Sequence, residues 1–150
     1  NSKISYELYL AILDLDHFKD VNDNWGGHSV GDRILREFAE IIKKNIRTTD
    51  IPVRYGGEEF IILFPRSVNY SRIFSVLNTI RLLCEKKLVV SWNGKKRNVT
   101  VSVGVTQINK FDMNINYIIN RADAALYKAK KKRNRIIMSS QNDEGDLIYH

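Results

Sequence analysis

Two pairs of acidic residues have the spacing and the neighbours of a metal site. Asp14 and Asp16 lie two residues apart at the end of an apolar run, so their side chains should point to the same face of a strand. Glu58 and Glu59 directly follow a pair of glycines. We expect the four carboxylates to converge where the two segments meet. Mg²⁺ prefers such hard oxygens and completes its shell with water and substrate phosphates, which favours a nucleotide site.

The glycine pair, Gly56 and Gly57, separates two short apolar runs and predicts the tight turn of a hairpin. Glycine most easily supplies the positive φ of such a turn. The absence of Cβ atoms would also let a bulky phosphorylated ligand approach the backbone beside the acids. An ordinary hairpin with solvated acids is the alternative interpretation of this segment.

The charge and composition narrow the class of protein. A net charge of +7 fits either a nucleic-acid partner or a site for phosphorylated small molecules. Aromatic and basic residues do not alternate on a strand pair, which disfavours a nucleic-acid-binding domain. No apolar run reaches the roughly 20 residues of a membrane helix, so we expect no membrane contact by this fragment. The only cysteine, Cys84, excludes an internal disulfide.

The elements that would position the acids follow from the apolar periodicity. An apolar run at residues 9–15 predicts a central strand, and Asp14 lies near its end. Helical spacing predicts three amphipathic helices, at residues 30–47, 71–86 and 116–132. Further strands are predicted at residues 52–55, 60–64, 88–92, 98–107 and 134–138. Pro65 is expected to end one strand, and Asn93-Gly94 to turn the later hairpin.

This order of elements predicts an α/β sandwich, with a mostly antiparallel central sheet flanked by helices. We expect residues 1–138 to form one domain with a truncated N-terminal segment, and residues 139–150 to form a polar tail. The chain begins at Asn1 without an initiator methionine and is interpreted as a piece of a longer protein. The fragment is expected in the cytoplasm, and membrane anchoring of the parent protein is left open.

The run Arg54-Tyr55-Gly56-Gly57-Glu58-Glu59-Phe60 resembles the signature of the GGDEF family of diguanylate cyclases, in its GGEEF form. Other segments are similar to the family's further motifs, in the same order. They are the metal and phosphate loop at 14–19, the guanine-reading pairs Asn22-Asp23 and Gly31-Asp32, the late strand at 102–104, and the last helix at 121–130. The resemblance spans nearly the whole chain. It implies a palm-like fold, as in adenylyl cyclases and polymerases.

The resemblance also implies which groups would bind the metal. Asp14, the carbonyl of Leu15 and Glu58 would hold Mg²⁺, with Mn²⁺ as an alternative ion. Glu59 would lie beside them as a further metal or catalytic carboxylate. The implied reaction condenses two GTP into cyclic di-GMP and releases two pyrophosphates, in a homodimer of facing domains. A catalytically silent module that binds cyclic di-GMP or GTP as a receptor is the alternative, and the intact GGEEF run argues against it.

The substrate-binding groups are implied in the same way. Backbone amides near His17 and Phe18 would hold the terminal phosphates, and Asn22 and Asp32 would hydrogen-bond the guanine edge. The remaining substrate-binding positions are Gly56, Gly57, Lys130 and Arg133. Simpler explanations exist for two of these residues. An acid such as Asp32 is favoured in the first turn of a helix without any ligand, and Asn22 suits a turn.

The motif Arg47-Thr48-Thr49-Asp50 is an R-x-x-D whose spacing from Gly56 matches the inhibitory product site of the family. Feedback inhibition by cyclic di-GMP through Arg47 and Asp50 is therefore expected, although an ordinary ion pair at a helix end would look the same. A second arginine often completes that site in the family. Here only Arg81 lies close to the matching position.

The chain departs from the family's pattern in three places. An extra glycine, Gly27, lies between the two guanine-reading pairs and is expected to reshape that loop. The run Lys131-Lys132-Arg133-Asn134 lacks the glycine that the family places before its final basic residue, which leaves Arg133 or Arg135 as the phosphate ligand, and we prefer Arg133. The family's opening D-x-L-T segment is absent, and part of the guanine pocket is expected to be absent with it.

Overall fold

A computed structural model of the chain describes residues 5–141 and 147–150. Its strands are β1 Glu7–Leu15, β2 Ile51–Arg54, β3 Glu59–Ser67, β4 Val89–Trp92, β5 Lys95–Asn98, β6 Val101–Ile108, β7 Ile136–Gln141 and β8 Leu147–Tyr149. Its helices are α1 Phe18–Asn24, α2 His28–Asn45, α3 Tyr70–Lys87 and α4 Ile115–Lys130. The three predicted amphipathic helices correspond to α2, α3 and α4.

The main sheet has six strands in the order β2-β3-β1-β6-β7-β8. Strand β1 lies in its centre and pairs antiparallel with β3 on one side and with β6 on the other. Only β6 and β7 pair in parallel among the described strands. The predicted fold class, a mostly antiparallel sheet flanked by helices, is confirmed.

Helices cover both faces of this sheet, which explains why β1 is apolar on both sides. Alternate β1 residues, from Tyr9 to Leu15, pack into a large core with α2 and α3. Leu10 and Ile12 point to the other face and pack against Ile118, Ala122 and Leu126 of α4. The spacing of four residues along α4 brings these three side chains onto one stripe. In the described part of the chain, no helix is both long and apolar enough to cross a membrane.

Helix α1 was not predicted from the periodicity because it is only seven residues long and buries only two of them. Phe18 and Val21 are its buried residues, and Asp20 lies in its first turn, where the helix dipole favours an acid. A signal was available in the spacing of Phe18, Val21 and Trp25, which lie three or four residues apart. Trp25 packs against the same core.

The predicted end of the strand at residues 60–64 was wrong. Pro65 does not end β3, which continues to Ser67. The register of β3 with β1 is irregular between Tyr9 and Glu7, and β2 pairs only with Phe60–Leu63. Pro65 therefore lies where no ladder hydrogen bond is needed from its nitrogen, the kind of position in which a strand tolerates proline.

The later hairpin turns at Asn93-Gly94, as predicted, and both residues have positive φ. Its second strand is however β5 rather than residues 98–107, because β4 and β5 pair only with each other in a small separate sheet. The predicted strand at 98–107 is mainly β6. The final strand β7 extends beyond residue 138 to Gln141, and β8 pairs with it, so the segment predicted as a polar tail begins inside the sheet. Residues 142–146 of that segment lie outside the described residues.

Candidate metal and nucleotide site

The acids of the two motifs meet at one end of the sheet. Asp14 in β1 lies directly opposite Glu59 in β3, and the backbone nitrogen of Leu15 donates to the carbonyl of Glu58 at 3.3 Å. The antiparallel pairing of β1 with β3 thus joins the end of one motif to the start of the other. Asp14, Leu15, Glu58 and Glu59, the predicted metal set, are brought together.

The clustering of acids changes the protonation of Glu59. Its pKa is raised to about 7, first by burial and then by a hydrogen bond with Asp14 and by the negative charges of Asp14, Asp123 and Glu58. Asp123 of α4 was not predicted to belong to this group. A carboxyl with this pKa carries a proton about half the time at neutral pH.

Asp16 lies beside Asp14, because the Lys130 ammonium contacts both carboxylates, but the oxygens of Asp16 are occupied by donors from elsewhere in the chain. One carboxylate oxygen accepts from Ser102 Oγ at 2.7 Å and from Lys130 Nζ at 2.8 Å, and the other accepts from Thr100 Oγ1 at 2.7 Å and the Asn134 nitrogen at 3.0 Å. Burial alone would raise the pKa of Asp16, but these donors together hold it below 3.8. Asp16 is therefore a saturated structural acid. Among the described residues, no three or more His, Cys, Asp or Glu side chains form a metal cage.

Lys130, predicted to neutralise the triphosphate, lies inside this cluster at the end of α4. Its ammonium is 2.9 Å from Asp14 Oδ1 and 2.8 Å from Asp16 Oδ1. It also donates to the carbonyls of Asp14 at 3.2 Å and of Leu15 at 3.3 Å. The contact with both acids confirms that Asp14 and Asp16 point to the same side of the sheet.

Arg133, the predicted phosphate ligand, follows the C-terminal end of α4. Its backbone nitrogen donates to the carbonyl of Ala129 at 2.8 Å, and its φ is 62°, a left-handed conformation that glycine usually adopts at helix ends. Burial and the positive charges of Arg133 and Arg97 lower the pKa of His17. The guanidinium groups of Arg133 and Arg97 thus lie near the loop predicted to hold phosphates. Arg97, which is also bound to Asp20 of α1, was missed from the sequence.

The two predicted base-reading residues lie on neighbouring helices, Asn22 on α1 and Asp32 on α2. Asn22 Oδ1 is buried and has no hydrogen-bond partner among the described residues. It packs against Gly31, where a Cβ atom would come within 1.9 Å of that oxygen. Glycine at this position therefore makes room for Asn22, next to Asp32.

Asp32 is exposed on α2, which begins at His28, two residues before the predicted start. Asp32 consequently lies beyond the first turn, where the helix dipole stabilises an acid less than was expected.

A cavity of about 480 Å³ adjoins Asp32 and runs along α2 to Arg54 and Phe60 of the hairpin. The loop with the extra glycine has φ values of 115° at Gly26 and 84° at Gly27, so both positions need glycine.

The glycine turn between β2 and β3 has a different form from the one predicted. Positive φ occurs at three glycines of the described chain, and neither Gly56 nor Gly57 is among them. The turn is instead closed by Arg54, whose Nε and Nη2 donate to the carbonyls of Gly56 at 3.3 Å and Gly57 at 2.8 Å. A Cβ atom at Gly57 would meet open space, so access to the backbone is unobstructed there.

A family model described as "Diguanylate cyclase, GGDEF domain" matches residues 2–135. The chain belongs to the GGDEF family. Diguanylate cyclase A of Treponema denticola is 42% identical over 137 residues, which are 90% of this chain and 36% of that protein. Diguanylate cyclase DosC of Escherichia coli K12 is 36% identical over 86% of this chain and 28% of its own length. This chain thus spans about a third of the length of these relatives.

Solved GGDEF structures share the fold, a palm-like α+β arrangement with a mixed sheet between helices. The GGDEF domain of DgcB from Caulobacter crescentus, in complex with c-di-GMP, has a TM-score of 0.80 and 34% identity, covering 89% of this chain and 78% of that one. The active GGEEF domain of a diguanylate cyclase from Vibrio cholerae has a TM-score of 0.78 and 30% identity, over 89% of this chain and 83% of that one.

The R-x-x-D of this GGDEF domain lies at the far end of the sheet from Asp14. Arg47 Nη2 donates to the carbonyl of Arg66, near the end of β3, and the Arg47 backbone nitrogen donates to Asp50 Oδ2 at 2.8 Å. Asp50 is buried, and its Oδ1 has no partner among the described residues. Arg81 is not near this corner, because it contacts Asn134 and Glu85 at the end of the molecule where Asp16 lies.

Proposed function

We propose that this GGDEF domain is a diguanylate cyclase that condenses two GTP into cyclic di-GMP and releases two pyrophosphates. Each domain holds one GTP, and two facing domains let the 3′-hydroxyl of each nucleotide attack the α-phosphorus of the other. The active form is accordingly a homodimer. The chain covers about a third of the relatives, and the activity is proposed for the domain rather than for a longer protein.

The observation that carries the proposal is the buried oxygen of Asn22, which has no partner in the part of the chain that the structure describes. A buried acceptor without a donor costs about 1 to 3 kcal/mol, so it calls for a ligand that donates. Guanine offers ring and amino N–H groups on one edge, and Asp32 beside Gly31 supplies a second acceptor for that edge. Adenine presents an unprotonated ring nitrogen there and would leave an acceptor unsatisfied. The pair therefore favours GTP over ATP.

The residues at the end of β1 fit a magnesium ion by the chemistry of their oxygens. Asp14, the Leu15 carbonyl and Glu58 offer hard oxygen ligands, and Glu59 lies beside them. Mg²⁺ prefers a site with few carboxylates and with room for substrate phosphates. The same edge already surrounds a cation, the ammonium of Lys130, which supports a site built for positive charge. When bound, Mg²⁺ or Mn²⁺ would polarise phosphate oxygens and stabilise the developing charge.

The remaining groups bind and orient the triphosphate. Backbone amides at His17 and Phe18 face the terminal phosphates, and Lys130 and Arg133 neutralise them. Gly56 and Gly57 keep the approach to the acids open: a Cβ atom at Gly56 would lie 3.6 Å from the Glu59 side chain, and one at Gly57 would project into open space that a ligand could use. Charged donors of this kind make phosphate contacts about twice as strong as neutral ones.

Product inhibition at Arg47 and Asp50 is the regulatory part of the proposal. The Arg47 side chain is 41% exposed and can turn a planar guanidinium towards a phosphate or a guanine edge. Oδ1 of the buried Asp50, which no described residue contacts by a hydrogen bond, is a further acceptor in the same corner. Because Arg81 is engaged elsewhere, we expect product binding to be weaker than a site with two arginines would give.

Incubation of the domain with GTP and Mg²⁺, followed by identification of the product by mass spectrometry, tests the proposal. Glu58→Gln should lower turnover at least about a hundredfold, a loss of roughly 2.7 kcal/mol in transition-state stabilisation. Glu40→Gln, at an exposed position on α2, is the matched control and should not change the rate. Turnover in Glu58→Gln equal to that of the wild type would overturn the catalytic assignment.

The same assay distinguishes the alternative, a receptor module without catalysis. Binding of cyclic di-GMP by calorimetry without any product from GTP would favour the receptor. A rate that rises faster than the enzyme concentration would support the homodimer, and ATP in place of GTP should yield far less product. Added cyclic di-GMP should slow the wild type more than Arg47→Ala.

A further inference from the structure

The ammonium of Lys130 is coordinated much as a metal ion would be. Four oxygens surround it: Oδ1 and the carbonyl of Asp14 at 2.9 and 3.2 Å, the Leu15 carbonyl at 3.3 Å, and Asp16 Oδ1 at 2.8 Å. An ammonium has only three hydrogens to donate. At least one of the four contacts is therefore shared, and the lysine acts as a compact positive charge among several acceptors rather than as a set of fixed hydrogen bonds.

Two of these acceptors are the oxygens that the proposed function gives to the metal, on Asp14 and Leu15. Positive charges repel strongly at such distances in a partly buried site, because the effective dielectric constant is far below that of water. The Lys130 side chain is 25% exposed and that of Asp14 only 13%. A divalent ion and the Lys130 ammonium therefore compete for the same place on Asp14.

When Lys130 leaves this place, Asp16 loses its ionic partner but stays hydrogen-bonded. Asp16 would lose one donor and keep three, the hydroxyls of Thr100 and Ser102 and the backbone nitrogen of Asn134. The lysine stem has four carbons and projects from the last residue of α4, so its head can swing while the helix stays in place. The nearest negative groups outside the acid cluster would be the phosphates of a bound nucleotide.

We propose that Lys130 is the resident cation of the metal position, and that it exchanges Asp14 and Leu15 for nucleotide phosphates when the metal–nucleotide complex binds. The inference rests on the proposed function and adds an order of binding to it. Metal alone binds weakly because it must displace Lys130. Metal with nucleotide binds tightly because the phosphates accept the displaced ammonium.

The experiment measures Mn²⁺ binding by electron paramagnetic resonance or calorimetry, on the whole domain and without turnover. Wild type is compared with Lys130→Met and with Lys132→Met, which removes the same charge from an exposed position just beyond α4. Without nucleotide, Lys130→Met should bind Mn²⁺ at least about tenfold more tightly than either of the other two proteins. A GTP analogue with a methylene group in place of the α–β bridging oxygen should then improve Mn²⁺ affinity at least about tenfold more in wild type than in Lys130→Met.

Lys130→Gln is the second variant, because its amide can still donate to Asp16 if the methionine variant does not fold, and the same tighter binding is expected. Equal Mn²⁺ affinity in wild type and the Lys130 variants would overturn the inference, and so would an equal gain in Lys132→Met. Neither result would affect the proposed function, which the GTP assay measures separately. No Mn²⁺ binding by any protein, even with the analogue, would overturn both the inference and the metal assignment.

Discussion

Helix α4 carries two cations that hold acids towards the two ends of β1, and they do so in different ways. Arg121 donates to both carboxylate oxygens of Asp112, to Thr106 Oγ1 at 3.1 Å and to the carbonyl of Gln107 at 2.8 Å. Its side chain is 8% exposed and that of Asp112 is 6% exposed. Lys130, nine residues further along the helix, is more exposed and shares its hydrogens among four oxygens.

The difference shows how one helix supports both the fold and the site. A planar guanidinium gives its hydrogens in fixed directions, and a bidentate pair with a carboxylate is hard to rearrange. An ammonium is a point charge on a flexible stem and can change partners at little cost. The Arg121 end is therefore a permanent brace for the loop at Asp112, and the Lys130 end can be remodelled by a ligand.

The largest effect on stability is expected when the brace is broken. Arg121→Met leaves Asp112 buried without its partner and should lower the free energy of unfolding by about 3 to 5 kcal/mol. Lys130→Met should cost clearly less, because Asp16 keeps three donors. Urea unfolding of the two variants and the wild type measures both losses.

Arg121→Lys is the matched control, since it keeps the charge but not the bidentate geometry, and an intermediate loss is expected. Equal losses in Arg121→Met and Lys130→Met would contradict the contrast between the two ends.

A second prediction concerns the contact between α4 and the sheet, which positions both Arg121 and Lys130. A Cβ atom at Gly104 of β6 would lie 2.2 Å from the Ala122 carbonyl and 2.3 Å from the Leu126 nitrogen, both backbone atoms of α4. Gly104→Ala should therefore push the helix off the sheet and cost about 3 kcal/mol, near the upper end for overpacking. Gly57→Ala, where a Cβ would meet open space, is the control for stability. A stable Gly104→Ala with unaltered unfolding would show that α4 is not held by this close approach.

The third prediction uses pH to measure the contribution of the Arg121–Asp112 pair to stability. Hydrogen bonds from Arg121 hold the pKa of Asp112 below 3.8 despite its partial burial. A lowered pKa in the folded state stabilises the fold above pH 3.8, and this contribution is lost as the pH falls through the folded-state pKa. Asp112→Asn should thus cost about 2 kcal/mol at pH 7, and its deficit relative to wild type should shrink below about pH 4.

Unfolding of both proteins at several pH values gives this difference directly, and groups that titrate in both proteins cancel. Asp23→Asn provides the comparison at an exposed pair, where Lys19 lies 4.0 Å away and little effect is expected. A deficit of Asp112→Asn that stays constant down to pH 3 would contradict the brace.

The fold class and the pairing of Asp14 with Glu59 could be predicted from the sequence, because both depend on local patterns: the two-sided apolar β1 and the glycine turn before Glu58. The hydrogen bonds that occupy the carboxylate of Asp16 could not be predicted. Its hydroxyl donors Thr100 and Ser102 lie 84 and 86 residues away, and the backbone donor of Asn134 lies 118 residues away. The contact of Arg81 with Asn134 could not be predicted for the same reason, since it bridges 53 residues.

The end of α4 beside Lys130 supports a last and smallest prediction. Arg133 occupies a left-handed conformation with φ of 62°, in which a residue with a Cβ atom is disfavoured by roughly 1 to 2 kcal/mol. Arg133→Gly removes that strain but also gives the unfolded chain more freedom, so we expect a net gain in unfolding free energy of about 0.5 kcal/mol. Because the same change removes a proposed phosphate ligand, GTP affinity should fall although the fold becomes more stable. Arg135→Gly, two residues later and without positive φ, should give no such gain. A loss of stability in Arg133→Gly would mean that the Arg133 side chain supports the fold, and unchanged GTP affinity would remove it from the site.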